Sequence, residues 1–204
     1  RTLVISLLVA LLAVGGAAAT ESAAGAGGIG DDYFPELGNG GYDAQHYTLD
    51  LNWDADSNKL SGTVTMAAAA TQDLTAFNLD FLGFDISAIT VNGEAATFER
   101  SERELTISPA EGLPSGKDFT VAVTYSGVPG EGVPDYYDVF ARGWTRYDDG
   151  VYVASEPNGA AFWYPVNDHP LDKAAYTFII TVPDPYIVAA NGLLTETTDN
   201  GDTI

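Results

Sequence analysis

His46-Tyr47-Thr48-Leu49-Asp50-Leu51-Asn52-Trp53 alternates polar and apolar side chains without a break. Successive side chains of an extended strand point to opposite faces, so this period of two predicts a strand with Tyr47, Leu49, Leu51 and Trp53 buried on one side. The same period recurs outward from it. Leu60, Val64 and Met66 repeat it, with Gly62 as a candidate bulge position. Phe77, Leu79 and Phe81 follow, then Ile89 with Val91, Leu105 with Ile107, and Phe119, Val121, Val123 and Tyr125. Further strands are expected at Val151–Val153, from Tyr176 to Val182, and from Tyr186 to Ala190. Asn92-Gly93 is a hairpin signal, because both central residues of a type I′ turn need positive φ. Asp148-Asp149-Gly150 and Asp199-Asn200-Gly201 also read as turns. After the first 19 residues no sustained helical period is present, and Ala67–Ala70 fits strand continuation better than a short helix. Short strands punctuated by turn residues predict an all-β fold, an antiparallel β-sandwich.

Composition narrows the function. The 204 residues hold 29 Asp plus Glu against 8 Lys plus Arg, a net charge of −21. Phosphate contacts need a basic face, so nucleic acid is not an expected partner. Adhesion to an anionic bilayer is disfavoured in the same way. There is no cysteine, which removes thiol nucleophiles and lipoprotein acylation. Neither G-x-S-x-G nor a phosphate-cradling loop is present. Asp54-Ala55-Asp56-Ser57-Asn58 opens like a calcium loop, but Lys59 and Thr65 stand where Gly and Glu would be required, so it reads as a hairpin turn.

Thr2–Val14 is apolar, and Ala17-Ala18-Ala19 suits a signal-peptide cleavage site. Residues 1–19 therefore read as a secretory leader, with an uncleaved anchor as the alternative, and imply export outside the cell or into the envelope. After cleavage no stable membrane insertion is expected. Residues 20–39 are rich in Gly and Ala and read as a flexible tether. Residues 40–204 form the expected folded domain. Within it, the Gly/Pro-rich stretch from Ser126 and the following residues to Asp149 read as a long irregular loop, in which Arg142, Trp144 and Arg146 suit packing and surface roles.

The segment from Ala154 to Pro170, A-S-E-P-N-G-A-A-F-W-Y-P-V-N-D-H-P, sets one acid, Glu156, before a knot of aromatic and proline residues. Taken alone it fits a packed knot with Glu156 on a solvated turn. It also resembles the aminopeptidase N family of zinc peptidases, peptidase family M1, which includes leukotriene A4 hydrolase. There a Gln or Glu precedes by eight residues the aromatic of an aromatic-Pro-x-x-Asp-x-Pro motif; here Glu156 stands eight before Tyr164-Pro165-Val166-Asn167-Asp168-His169-Pro170. Lys173, the alternation from Tyr176 to Val182, and Ala190-Asn191-Gly192 fit as well. So do Tyr42–Leu51, Leu60–Val64 and Val91-Asn92-Gly93 upstream. Pro157 departs from the usual Ala, and Ala161 stands where many members keep Arg.

The resemblance implies the saddle-like N-terminal β-domain of such a peptidase, with Glu156 binding the α-ammonium of a peptide substrate beside the catalytic domain. It implies zinc held by H-E-x-x-H and a later Glu in a following helical domain. This chain has no H-E-x-x-H, and its histidines, His46 and His169, are far apart. No cofactor is therefore expected in it, and it should not hydrolyse peptides alone. Arg1 at the start and Ile204 at the entry to a strand-like stretch read as truncations of a longer protein. Asp168 and His169 read as structural, with metal ligation by His169 as the weaker alternative. Two other readings stay open: a secreted β-sandwich binding module using Trp53, Trp144 or Trp163, and a scaffold relative without catalysis.

Overall fold

The computed structural model describes residues 23–133 and 143–204. The expected leader at 1–19 and Arg142 lie outside the described residues. The strands, in chain order, are β1 (Ala23–Ala24), β2 (Tyr42–Asp54), β3 (Lys59–Ala70), β4 (Leu74–Asp80), β5 (Asp85–Val91), β6 (Glu94–Ala95), β7 (Thr97–Ser101), β8 (Glu104–Ser108), β9 (Asp118–Gly127), β10 (Gly143–Tyr147), β11 (Gly150–Ala154) and β12 (Ala175–Thr181). The one helical element described is a 3-10 turn at Ala160–Phe162. The fold is all-β.

Two sheets pack face to face. One has six strands in the order β12-β2-β3-β9-β5-β6; the other has four, β1-β4-β8-β7. The apolar phase of each alternating strand turns inward. Leu49, Leu51, Val64, Met66, Val121, Val123 and Tyr125 from the larger sheet meet Phe77, Leu79, Leu105 and Ile107 from the smaller. Ring contacts cross the layers, Tyr42 to Phe77 at 5.8 Å and Phe77 to Phe119 at 5.1 Å. Burial of each large apolar side chain contributes about 1.5–3 kcal/mol, so this layer is the main source of stability.

The expectation of a wholly antiparallel sandwich is corrected at two places. Strand β12 pairs with β2 in parallel, Ala175 opposite His46 through Thr181 opposite Asn52. Strand β1 pairs with β4 in parallel. Alternation along a strand reports which face is buried, not the direction of its neighbour.

Other local readings also change. Gly62 stays in register, opposite Leu51 and Tyr125. The bulges fall at Gln45 and Ser87 instead, where the pairing skips one residue. Gly62 is required for space: a Cβ there would sit 2.1 Å from the Asp50 carbonyl oxygen, and its φ is 152°. Tyr186–Ala190 is not a strand; it runs beside the larger sheet, with Tyr186 edge-on to Trp53 at 5.0 Å. The expected loop before Asp149 contains β10, hairpinned to β11 through Asp148-Asp149. Asn92 and Gly93 both have positive φ, 53° and 85°, as a type I′ turn demands.

Residues 25–41, within or bordering the Gly/Ala-rich stretch, lie along the outer side of the smaller sheet. Gly25 donates to the Ala76 carbonyl at 2.9 Å, Gly40 to Ala26 at 2.9 Å, and Thr71 to Gly41 at 2.9 Å. The glycines permit close approach: a Cβ on Gly25 would meet the Gly40 carbonyl at 2.6 Å. We call this segment the strap.

Candidate functional site

The site segment begins where β11 ends. Ser155, Glu156, Pro157 and Asn158 form a loop, the 3-10 turn follows, and 163–170 runs back across the end of the smaller sheet. Phe162, Trp163, Tyr164 and Val166 are buried, which fixes the backbone from below. Leu82 donates to the Ala161 carbonyl at 2.9 Å, and the Tyr125 hydroxyl to the Trp163 carbonyl at 2.7 Å. Asp80 exchanges both backbone hydrogen bonds with Val166, at 2.7 and 3.1 Å. The segment is thus attached to the end of β4 by one isolated antiparallel bridge.

Beneath it lies a buried polar cluster. Arg103 donates from Nε to Asp80 at 2.7 Å and from Nη2 to Asp168 at 3.2 Å. The Asp80 carboxylate also accepts the backbone N–H of Asp168 at 2.9 Å and the Asn39 amide at 3.2 Å. Asp168 in turn accepts the backbone N–H groups of Gly159 at 2.9 Å and Ala161 at 3.2 Å. The motif aspartate is therefore a cap: its charge closes the turn three residues after Glu156. Burial pushes the Asp80 carboxyl up to about 6, against the opposing pull of Arg103. Glu104 beside it is raised to about 7, first by burial and then by the Asp80 charge.

Asn167 and His169 complete the underside. The Tyr47 hydroxyl accepts the Asn167 N–H at 3.0 Å. Asn167 Oδ1 accepts the Asn39 N–H at 2.6 Å, and its amide donates to the Asn39 carbonyl at 3.1 Å and to Asp172. His169 Nδ1 accepts the Leu171 N–H at 3.1 Å, which places a neutral ring's proton on Nε2, 3.1 Å from Asp31. His46 sits on the exposed side of β2, 2.9 Å from the Thr177 hydroxyl. The two histidines are not brought together. Among the described residues no three His, Cys, Asp or Glu converge to hold a metal, so the side chains do not fit zinc.

Glu156 is on the open side. It is exposed, and among the described residues its carboxylate has no hydrogen bond or ion pair. It borders a hollow of about 900 Å³ whose walls include Tyr164, Tyr176, Phe178 and Lys173. Ala161, where the resemblance leads one to look for Arg, is fully buried. Trp53 and Trp163 are buried, and Trp144 donates to Asn58 at 3.2 Å while Arg146 donates to the Ala55 carbonyl at 2.6 Å. Sequence reasoning missed Asp31, Asn39, Asp80 and Arg103. The available signal was scarcity: Arg103 is one of 8 basic residues against 29 acids.

The fold is a β-domain that places the exposed loop bearing Glu156 beside an open hollow. The chain belongs to the peptidase M1 N-terminal domain family, whose sequence model matches residues 43–204. The M1 zinc metallopeptidase of Deinococcus radiodurans is 33% identical over 86% of this chain, with a TM-score of 0.75. A mutant of that enzyme bound to a Tyr-Ser-Ala substrate is also 33% identical, with a TM-score of 0.78. Yeast leukotriene A4 hydrolase in complex with bestatin, 20% identical over 80% of this chain and 26% of its own, shares the fold with a TM-score of 0.59. The chain spans about 40% of the length of the Deinococcus relatives it matches.

Proposed function

We propose that this chain is the substrate-anchoring β-domain of an exported zinc aminopeptidase, and that Glu156 pairs with the α-ammonium of the peptide. The observation that carries the reading is the position of Glu156. It is exposed at the rim of the hollow, while Asp168 fixes the backbone three residues on. A carboxylate held by its backbone pairs with an ammonium at little entropic cost, and the charge-assisted bond is stronger than a neutral one. Fixing the first nitrogen fixes which peptide bond is presented, and so yields release of single N-terminal residues. A following catalytic domain would hold the zinc, which polarises the scissile carbonyl and activates water. The apolar leader at 1–19 supports export to the cell exterior or envelope, and residues 40–204 serve as the anchoring domain. The binding-module alternative gains no support from tryptophan, since Trp53 and Trp163 are buried and Trp144, partly buried, packs on the core and donates to Asn58.

The test is kinetic, in the whole protein that carries this domain. Glu156→Ala is expected to raise KM for free-amine peptides about 10- to 100-fold, the loss of one charge-assisted bond. Glu156→Gln falls between. N-acetylated peptides gain nothing from Glu156 and are unaffected by either change. Unchanged KM for free-amine peptides in Glu156→Ala overturns the reading.

A further inference from the structure

The strap touches the site segment at Asn167 and His169, and the end of β4 at Asp80. Its Asn39 backbone forms a reciprocal pair with the Asn167 side chain, at 2.6 and 3.1 Å. Its Asn39 amide reaches Asp80, the residue that accepts the Asp168 N–H. Its Asp31 carboxylate receives Nε2 of His169, whose ring is almost fully buried and lies edge-on to Phe34 at 6.5 Å. The contacts are close enough to exclude a larger residue between them. A Cβ on Gly38, which has φ +67°, would sit 2.5 Å from His169 Cβ and 2.9 Å from Asn167 Oδ1. The strap precedes residue 43, where the match to the family begins.

Two routes lead from these contacts to Glu156. The first runs from Asn39 to Asp80, from Asp80 to the Asp168 N–H, and from the Asp168 carboxylate to the Gly159 N–H. The second runs from Asp31 through His169 to the adjoining Asp168. Both end on the cap that sets the Glu156–Gly159 loop. The site segment is clasped from opposite sides. Tyr47, Tyr125 and Asp80 hold it from the core, and Asp31 and Asn39 hold it from the strap.

We propose that Asp31 and Asn39 are positioning residues for the acidic anchor: the strap, docked on Asn167 and His169, sets the placement of the Glu156 loop. This rests on the reading of Glu156 as amine anchor for its consequence in catalysis, though not for its structural part. Asp31 is the better probe, since it lies at the surface and its removal leaves the Asn39 pairings and the core in place.

The experiment compares Asp31→Ala, Asp31→Asn and Asn39→Ala with the parent, in the full chain by amide NMR and in the whole protein by kinetics. In Asp31→Ala the Gly159 and Ala161 amides are expected to shift and to exchange about tenfold faster, because their local opening becomes easier. Amides in the β3–β9 pairing stay unmoved. Asp31→Asn keeps a hydrogen-bond acceptor and restores most of the parent behaviour. Asn39→Ala reproduces the Asp31→Ala shifts. In the whole protein, KM for free-amine peptides rises about three- to tenfold with kcat held, the signature of a displaced binding group. Unmoved Gly159 and Ala161 amides in Asp31→Ala overturn the proposal. So does an equal disturbance of β3–β9, which would make the strap a general stabiliser of the fold. Shifted amides without any effect of Glu156→Ala on KM would leave the strap's role standing and remove the amine-anchor reading instead.

Discussion

Asp168 shows how one buried charge serves a residue it never touches. Its carboxylate gathers two backbone N–H groups and Arg103, so the loop bearing Glu156 is closed before any ligand arrives. Removing it leaves those nearly buried donors without their acceptor. Asp168→Ala is therefore expected to lower unfolding free energy by about 3–5 kcal/mol, the penalty for breaking a buried pair from one side. Asp168→Asn keeps one acceptor oxygen and should lose about 1–3 kcal/mol. Urea denaturation followed by tryptophan fluorescence measures both, and equal losses would contradict the role of the Asp168 oxygen on which all three donors converge. Glu156 itself, exposed and outside this network, should tolerate substitution without loss of stability. That contrast separates the anchor from its support.

Among the elements, β3 lies inside the larger sheet, paired on both sides by β2 and β9. Gly62→Ala forces a Cβ against the Asp50 carbonyl and is expected to cost about 3 kcal/mol, read as a fall in denaturant midpoint. The strands with strict alternation were legible because one face of each is buried. Tyr47–Trp53 and Phe119–Tyr125 are clear cases. Tyr186–Ala190 alternates too, yet forms no strand, because a strand needs a hydrogen-bonding neighbour that local pattern cannot reveal. β10 was hidden for the opposite reason: Gly143-Trp144-Thr145-Arg146-Tyr147 pairs with β11 although only its first residue is buried. The strap was hidden by composition. Glycine that would free an isolated segment here lets it lie close against a sheet. Of the site, the acid and its motif were legible as sequence, whereas Asp80, Arg103, Asn39 and Asp31 come together only in the fold.

For the whole molecule, the acid excess and two carboxyls, buried Asp80 and half-buried Glu104, act in the same direction. Asp80 at about 6 and Glu104 at about 7 both titrate above their ordinary values. A raised carboxyl binds its proton more tightly in the folded chain than in the unfolded one. Its contribution is fully present below about pH 4 and is lost as pH rises through 6 and 7. The melting temperature should therefore fall between about pH 5 and about pH 8, and Glu104→Gln should flatten part of that fall. An undiminished slope in Glu104→Gln would assign the effect elsewhere. The parallel pairing of β12 with β2 has a separate consequence during synthesis. Strand β2 leaves the ribosome about 130 residues before its neighbour. At roughly 5–20 residues per second, one border of the nascent sheet stays open for about 7 to 26 seconds, a window in which a chaperone or a second nascent chain could occupy it.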